Sequence, residues 1–187
     1  ELPVLTISNL SLTYPGYPPL ATLSLDLQSG EQIALLGRSG TGKSTLLTAI
    51  VQGSPEIHLQ TTRIAYLSQQ PALLPWASVM DNVLLGFTLR GEDIAAEDIQ
   101  RAKLLLQAVD LHTLTERKAS QLSGGQQARV ALARALVEDA DLVLLDEPFA
   151  SLDRSTRIQM AQLCSQLLPG KTVILVTHDP RDAHHWL

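Results

Sequence analysis

Residues 37–44 read GRSGTGKS, from Gly37 to Ser44, and match the pattern G-x-x-x-x-G-K-[ST]. The stretch follows the apolar run QIALL and opens the helical stretch STLLTAIV, which is the context in which such a loop binds phosphate. Its glycines let backbone N–H groups surround phosphate oxygens, while the following helix directs its positive end at the same anion. This predicts a nucleotide site in which Lys43 reaches the β- and γ-phosphates and the Ser44 hydroxyl binds Mg²⁺. The predicted nucleotide-binding residues of this stretch are Gly37, Arg38, Ser39, Gly40, Thr41, Gly42, Lys43, Ser44 and Thr45.

The apolar runs around this loop predict an α/β fold. QIALL, DLVLL and TVILV are short, continuous and separated by helical material, as in strands buried on both faces of a parallel sheet. The first thirty residues alternate instead, with Leu23, Leu25 and Leu27 on one face, which predicts an N-terminal antiparallel β part.

Helical spacing of apolar residues predicts helices over residues 44–51, 94–109, 126–137 and 155–168. Gly53 is a plausible C-cap for the first. In the second, the residues expected on one apolar face are Ile99, Ala102, Leu106 and Val109. Residues 70–120 contain no buried-strand run and predict an inserted helical subdomain. We therefore expect a single domain over 1–187, with 1–69 and 121–187 forming the sheet core and 70–120 the helical subdomain.

Composition excludes several classes of protein. The net charge of −5 argues against a general nucleic-acid binder, which usually carries a basic excess. The single cysteine, Cys164, cannot form an internal disulfide and fits a reducing compartment. No apolar run approaches the length that spans a bilayer, so we expect a soluble, cytoplasmic chain.

The stretch VLLDEP places two carboxylates, Asp146 and Glu147, at the end of an apolar strand. Ligands of open parallel sheets collect at the carboxyl ends of strands, and adjacent buried acids are costly unless paired or bound to a metal. We expect Asp146 to hold Mg²⁺ through water and Glu147 to polarise the attacking water.

A second helix start carries the motif that indicates the family. LSGGQQ, from Leu122 to Gln127, places Ser-Gly-Gly ahead of an Ala-rich helix and predicts another anion-binding N-terminus. With GRSGTGKS, LSGGQ, VLLDEP, SLD and LVTHD in the family's order over nearly its whole length, the chain resembles the ABC transporter ATPases. The resemblance implies a P-loop NTPase core of the RecA-like type, ATP and Mg²⁺ as ligands, and hydrolysis by a head-to-tail homodimer that ATP binding closes.

The resemblance also implies roles for residues around the nucleotide. Tyr14 matches the aromatic residue that stacks on adenine, with Tyr17 as the alternative. Gln69 matches the glutamine that reaches Mg²⁺ and the attacking water, and Gln70 is the less favoured choice. His178 matches the histidine that hydrogen-bonds the γ-phosphate.

Two further matches concern the partner copy in that dimer. The signature residues would contact the γ-phosphate that the opposite protomer holds. They are Ser123, Gly124, Gly125 and Gln126. Ser151 and Asp153, in SLD, match the loop that contacts the partner across the dimer.

The segment QQPALLPW indicates a membrane partner. Its two prolines favour a stiff loop, and we expect Leu73, Leu74 and Trp76 to contact a permease, as apolar anchors do at interfaces. The alternative is that Trp76 fills a small core. QPALLPW followed by VMDNV resembles ATPases of importers for nitrate, sulfonates, taurine or thiamine precursors. That implies a peripheral subunit at the cytoplasmic face of the inner membrane, with integral permease subunits and, indirectly, a solute-binding protein.

Two other functions compete with transport. A non-transport ABC ATPase of DNA repair, translation or cluster assembly is disfavoured by the single nucleotide domain and the short interval from Gln69 to Ser123. A nucleotide-switched binding module without turnover is disfavoured because Glu147 and His178 are both present.

The chain departs from the family pattern in two places. Only 26 residues separate Lys43 from Gln69, so that EIHLQTTRIAYL leaves room for one tight hairpin. The chain also stops nine residues after His178, ahead of the strands that usually complete the domain, and we expect a truncated C-terminal end.

Overall fold

A computed structural model describes residues 2–12, 21–37, 43–61, 63–69, 71–150 and 152–184. The chain forms two compact units. The first comprises Glu1–Gln69, Ala140–Ala150 and Cys164–Leu187, and the second comprises Gln70–Asp139 and Ser151–Leu163. The α/β fold is as predicted, whereas the boundaries at residues 70 and 120 remain predictions.

The first unit contains a parallel sheet with the strand order β3-β7-β6-β5. Its strands are β3 (Gln32–Leu36), β5 (Ile64–Leu67), β6 (Leu142–Asp146) and β7 (Val173–Thr177). The two central strands, β6 and β7, are buried along their whole length, as their apolar runs predict. The same expectation is wrong for β3, which lies at the edge of the sheet and leaves Leu36 53% exposed.

An antiparallel sheet with the order β2-β1-β4 completes the strands of the first unit. Its members are β1 (Leu5–Leu12), β2 (Ala21–Leu27) and β4 (Ile57–Leu59). β1 lies between β2 and β4, and its inward residues Leu5 and Ile7 join one apolar core with Leu27. The predicted tight hairpin over residues 56–67 is wrong, because β4 pairs with β1 whereas β5 joins the other sheet beside β6.

Helix α1 (Lys43–Gln52), which follows the phosphate-loop motif, packs against the core of the first unit. Leu46, Leu47 and Ile50 are almost completely buried in the same apolar cluster as Leu144. The helix ends as predicted, because Gly53 adopts φ = 86° and its N–H donates to the Ala49 carbonyl at 2.9 Å.

The second unit is helical. Its helices are α2 (Val79–Val83), α3 (Leu85–Leu89), α4 (Ala96–Ala108), the 3₁₀ turn Ala119–Gln121, α5 (Gly124–Leu136) and the first part of α6 (Arg154–Leu167). In α4 the predicted stripe buries Ala102, Leu106 and the following Val109, but Ile99 is 37% exposed and does not belong to it. Ile99 lies in the first turn, where most neighbouring residues of α4 are exposed.

Helix α7 (Pro180–His184) ends the described part of the first unit. Within the described residues, no helix has the length and apolar character needed to cross a membrane.

Candidate active site

The carboxyl edge of the parallel sheet carries several of the predicted site residues of the first unit. Each strand of β3-β7-β6-β5 ends within one residue of its neighbour in the register. The residues that follow the strand ends therefore lie along one edge, where ligands of parallel sheets bind. They are Gly37, Gln69, Glu147 and His178.

Two buried carboxylates end the central strand β6. Asp146 is 2% exposed and Glu147 is 7% exposed. The backbone of Glu147 adopts φ = 47°, in the left-handed region that long side chains rarely occupy. Its N–H donates to the Val176 carbonyl at 2.8 Å, and its own carbonyl accepts from the Ala150 N–H at 3.2 Å. Hydrogen bonds at both the N–H and the carbonyl of Glu147 thus fix the turn that presents its carboxylate.

The carboxylate of Glu147 contacts the imidazole of His178 directly. The His178 Nδ1 atom lies 2.8 Å from the Glu147 Oε2 atom, within hydrogen-bond distance. The His178 side chain is 44% exposed, so one end of the pair is buried and the other faces solvent. This geometry can place a proton acceptor and a hydrogen-bonding imidazole on the same reacting group.

The turn that carries His178 is built by residues that the sequence analysis missed. The Thr177 hydroxyl donates to the Asp182 carboxylate at 2.7 Å, and the Asp179 N–H donates to the same hydroxyl at 3.1 Å. Asp182 is buried, and Asp179 in turn accepts from the Arg181 guanidinium at 2.7 Å. The available signal was a cluster of Thr and Asp flanking a histidine at the end of a buried strand.

Tyr66 in β5 was also missed. Burial raises the pKa of its hydroxyl, the negative charge of Asp146 raises it further, and a hydrogen bond with Thr48 opposes both effects. The negative charge of Asp146, at the end of β6, therefore acts on Tyr66 of the neighbouring strand β5, which also contacts Thr48 of α1.

The donor set fits a magnesium ion that arrives with a nucleotide. Within the described ranges, no group of three His, Cys, Asp or Glu side chains could hold a metal ion alone. Mg²⁺ usually takes one or two carboxylates together with substrate phosphates and water, and the buried carboxylate of Asp146 meets that requirement. Ser44 lies in the first turn of α1, and Gln69 follows the end of β5.

The predicted signature residues start helix α5 in the second unit. The Ser123 hydroxyl accepts from the Gln126 N–H at 3.2 Å, and the Gln126 side chain accepts from the Ser123 N–H at 3.0 Å. This reciprocal pair is a capping box, and it starts α5 at Gly124, two residues before the predicted position. Gly124 and Gly125 thus form the first turn, where backbone N–H groups without a partner in the helix are available to bind an anion.

Asp153 lies beside the signature turn within the same unit. The Thr156 N–H donates to the Asp153 Oδ1 atom at 2.8 Å. This bond and a second from the Thr156 side chain lower the pKa of Asp153. Both segments line a cleft of about 610 Å³. Its lining residues are Ser123, Gly124, Gly125, Gln126, Arg129, Leu152, Asp153 and Thr156.

The predicted permease-contact loop is rigidly held, and Trp76 projects from it. Trp76 is 70% exposed, so it does not fill a core. Leu73 and Leu74 are partly buried. The fully buried Asn82 side chain accepts from the Leu74 N–H at 2.7 Å and donates to the Leu74 carbonyl at 3.1 Å.

A partly buried arginine contacts the other end of this loop. The Arg134 guanidinium of α5 donates to the Ala72 carbonyl at 2.8 Å. Burial lowers the pKa of Arg134. Neither Asn82 nor Arg134 was singled out in the sequence, because each belongs to an ordinary helical pattern.

Several predicted residues lie outside the described part of the chain. They are Tyr14, the alternative Tyr17, Arg38, Ser39, Gly40, Thr41, Gly42, Gln70 and Ser151. Lys43, Ser44 and Thr45 form the start of α1.

A parallel sheet with a phosphate-loop motif before α1, an acidic central strand and a signature helix defines an ATP-hydrolysing P-loop protein. The model of the ABC transporter family matches residues 20–150. The chain therefore belongs to the ABC transporter family, as an ATP-binding subunit with the ATPase activity characteristic of that family.

Similar proteins agree with this assignment. The chain is 41% identical to an aliphatic sulfonates import ATP-binding protein of Mesorhizobium japonicum, over 98% of this chain and 74% of the relative. It is 42% identical to the taurine import ATP-binding protein of Escherichia coli K12, over 96% of this chain and 75% of the relative. A solved dimeric structure of a bacterial ABC transporter cassette has a TM-score of 0.80 and 30% identity, covering 97% of this chain and 91% of that one.

Proposed function

We propose that the chain energises uptake of a small sulfonate-like solute as the ATPase subunit of an ABC importer. The observation that carries the hydrolytic part is the contact of 2.8 Å between His178 and the buried Glu147 at the carboxyl edge of the sheet. The importer assignment is supported by the relatives, which are named for the import of aliphatic sulfonates and of taurine. Nitrate and thiamine precursors are the other cargo classes to be tested.

In the proposed reaction, Glu147 accepts a proton from the attacking water or orients it, while His178 hydrogen-bonds the γ-phosphate. Lys43 and the backbone of residues 37–45 bind the phosphates, and Tyr14 stacks on adenine. Positioning and electrostatic stabilisation do most of the work in phosphoryl transfer. Bound Mg²⁺ would neutralise charge on the β- and γ-phosphates, with Ser44 and Gln69 as ligands and Asp146 holding it through water.

The complete site is proposed to need two copies of the chain. The signature turn and Asp153 line one cleft of the second unit, and the first turn of α5 suits an anion. We infer that this turn contacts the γ-phosphate held by a partner copy, with Ser151 and Asp153 beside it. The dimeric cassette among the structural relatives supports this arrangement.

The membrane partner is proposed to be a permease that docks on the loop carrying Leu73, Leu74 and Trp76. An exposed Trp on a rigid backbone loses little conformational entropy on binding, which suits an interface anchor. The chain would then act at the cytoplasmic face of the inner membrane, with a solute-binding protein delivering the cargo.

The importer assignment is tested by purifying the tagged chain from membranes of its source organism. The expected partner is a protein with several membrane spans, identified by mass spectrometry. Vesicles that contain this partner and the chain should take up a labelled sulfonate such as taurine only when ATP is supplied on the side of the chain. A ribonucleoprotein or DNA-repair partner, without a membrane protein, would contradict the proposal.

Replacing Trp76 with Ala is expected to weaken capture of the permease by about tenfold, since an anchor of this type contributes upward of 1 kcal/mol. The effect on ATP hydrolysis by the isolated chain should be smaller. Capture is measured by titrating permease-containing vesicles, and hydrolysis by phosphate release. Leu89→Ala is the matched control, because Leu89 is 76% exposed in the same unit but lies outside the loop. If Trp76→Ala lowered the rate of ATP hydrolysis more than the affinity for the permease, Trp76 would not lie at the permease interface.

A further inference from the structure

The second signature glycine is in close contact with the helix that follows the Asp153 loop. A Cβ atom on Gly125 would lie 3.0 Å from the Thr156 Cγ2 atom and 3.4 Å from its Oγ1 atom. By contrast, a Cβ atom on Gly124 would have no contact within 4 Å among the residues that the structure describes. Gly125 is not among the glycines with positive φ, so its backbone does not require glycine. The need for glycine at this position is set by the Thr156 side chain.

The same threonine also binds the Asp153 loop. Its N–H donates to the Asp153 Oδ1 atom at 2.8 Å, and its side chain makes a second hydrogen bond to that carboxylate. The methyl group of Thr156 therefore touches the signature turn while its polar groups fix Asp153. A β-branched side chain is stiff about χ1, so both contacts constrain one rotamer.

A second contact joins the two helices one turn farther along. The Arg129 guanidinium of α5 donates to the Gln159 side chain of α6. Arg129 also lines the cleft between the signature turn and Asp153. Contacts at the first turn and at the next keep the two helix starts at a fixed separation, since packed helices resist small displacements.

We propose that Thr156 is a positioning residue that sets the distance between the signature turn and the Asp153 loop. Through this contact the two segments meet the partner's nucleotide as one rigid surface. The role in the partner's site depends on the sandwich dimer proposed above, whereas the packing of Thr156 against Gly125 does not.

The test is a rescue experiment on the whole chain. Gly125→Ala is expected to lower the rate of ATP hydrolysis by on the order of 10- to 100-fold, because small displacements in a positioned site have such effects. Thr156→Ser removes the Cγ2 atom but keeps the hydroxyl, and alone it should lower the rate less than Gly125→Ala does, because a lost methyl contact displaces the turn less than a steric overlap. The double variant Gly125→Ala/Thr156→Ser should recover most of the lost rate.

Gly124→Ala is the matched control, because no residue that the structure describes is close to its new methyl group. Any loss that it causes should not be rescued by Thr156→Ser. Failure of Thr156→Ser to rescue Gly125→Ala would overturn the proposal, and so would equal rescue of both glycine variants.

A second measurement separates this proposal from the dimer. The urea midpoint of Gly125→Ala should be lower than that of the native chain, and Thr156→Ser should restore it. ATP-dependent dimerisation is followed separately by light scattering in the Glu147→Gln background. If Thr156→Ser restored the urea midpoint but no ATP-dependent dimer formed, the proposed sandwich dimer would be contradicted, whereas the packing role of Thr156 would be supported. Unrestored midpoints together with unrestored activity would contradict that role.

Discussion

Glu147→Gln is expected to lower the rate of ATP hydrolysis by about 100-fold or more, the usual contribution of a positioned general base. Glutamine keeps the shape of the side chain and can still hydrogen-bond His178 Nδ1, which lies 2.8 Å from the carboxylate. The substitution therefore removes the charge and the proton acceptor while leaving the turn in place. ATP binding should be little affected, so the loss should appear in kcat rather than in KM. The measurement is phosphate release at saturating ATP.

A nucleotide-bound dimer should accumulate in the same variant. If hydrolysis reopens the dimer, a chain that binds ATP without cleaving it remains closed, and light scattering should report twice the monomer mass when ATP is present. Glu97→Gln is the matched control, because Glu97 is an exposed residue in the first turn of α4. It should hydrolyse ATP at the native rate and form no lasting dimer. Hydrolysis at the native rate by Glu147→Gln would show that another group activates the water.

The second large effect is expected at Asn82. Replacing it with Leu keeps the branching and the number of side-chain heavy atoms but removes every hydrogen bond that its buried side chain makes to residues 74–78. The Leu74 N–H would lose this acceptor, while the Leu74 and Ser78 carbonyls would each lose one donor but keep a backbone N–H, and we expect the free energy of unfolding to fall by about 3 kcal/mol. The measurement is the urea midpoint at unchanged slope.

The loop itself provides a second readout for Asn82. In a Trp186→Phe background, Trp76 is the remaining tryptophan, and its fluorescence anisotropy should fall when Asn82→Leu releases residues 74–78. Asn82→Asp keeps the oxygen that accepts from Leu74 and should give an intermediate loss. The exposed neighbour Asp81, changed to Asn, should stay within about 0.5 kcal/mol of the native chain. A native midpoint for Asn82→Leu would show that the loop does not depend on this side chain.

Short apolar runs predicted the existence of the strands but not their place in the sheet. QIALL is as apolar as the run that forms β6, yet β3 lies at the edge and is only partly buried. Pairing partners are set by contacts distant in sequence. The prediction of a hairpin over residues 56–67 was wrong for the same reason. β4 pairs with β1, about fifty residues earlier in the chain.

The motifs predicted the residues at the carboxyl edge because parallel strands bring their ends together. What they could not predict are the contacts that hold those residues in place. Thr177, Asp182 and Thr156 carry no distinctive pattern, and their roles depend on contacts of about 3 Å with residues elsewhere in the fold. Such distances follow from tertiary packing, which local propensity does not describe.

The left-handed backbone of Glu147 has a consequence for any attempt to stabilise this protein. Three of the four described non-glycine residues with positive φ are Asn or Asp, which tolerate that conformation, and Glu147 is the fourth. Glycine at this position would relieve about 1 kcal/mol of backbone strain. A design procedure that ranks substitutions by thermal stability alone would therefore favour removing the carboxylate next to His178. Selection for thermostability in this family member is best restricted to positions away from the end of β6.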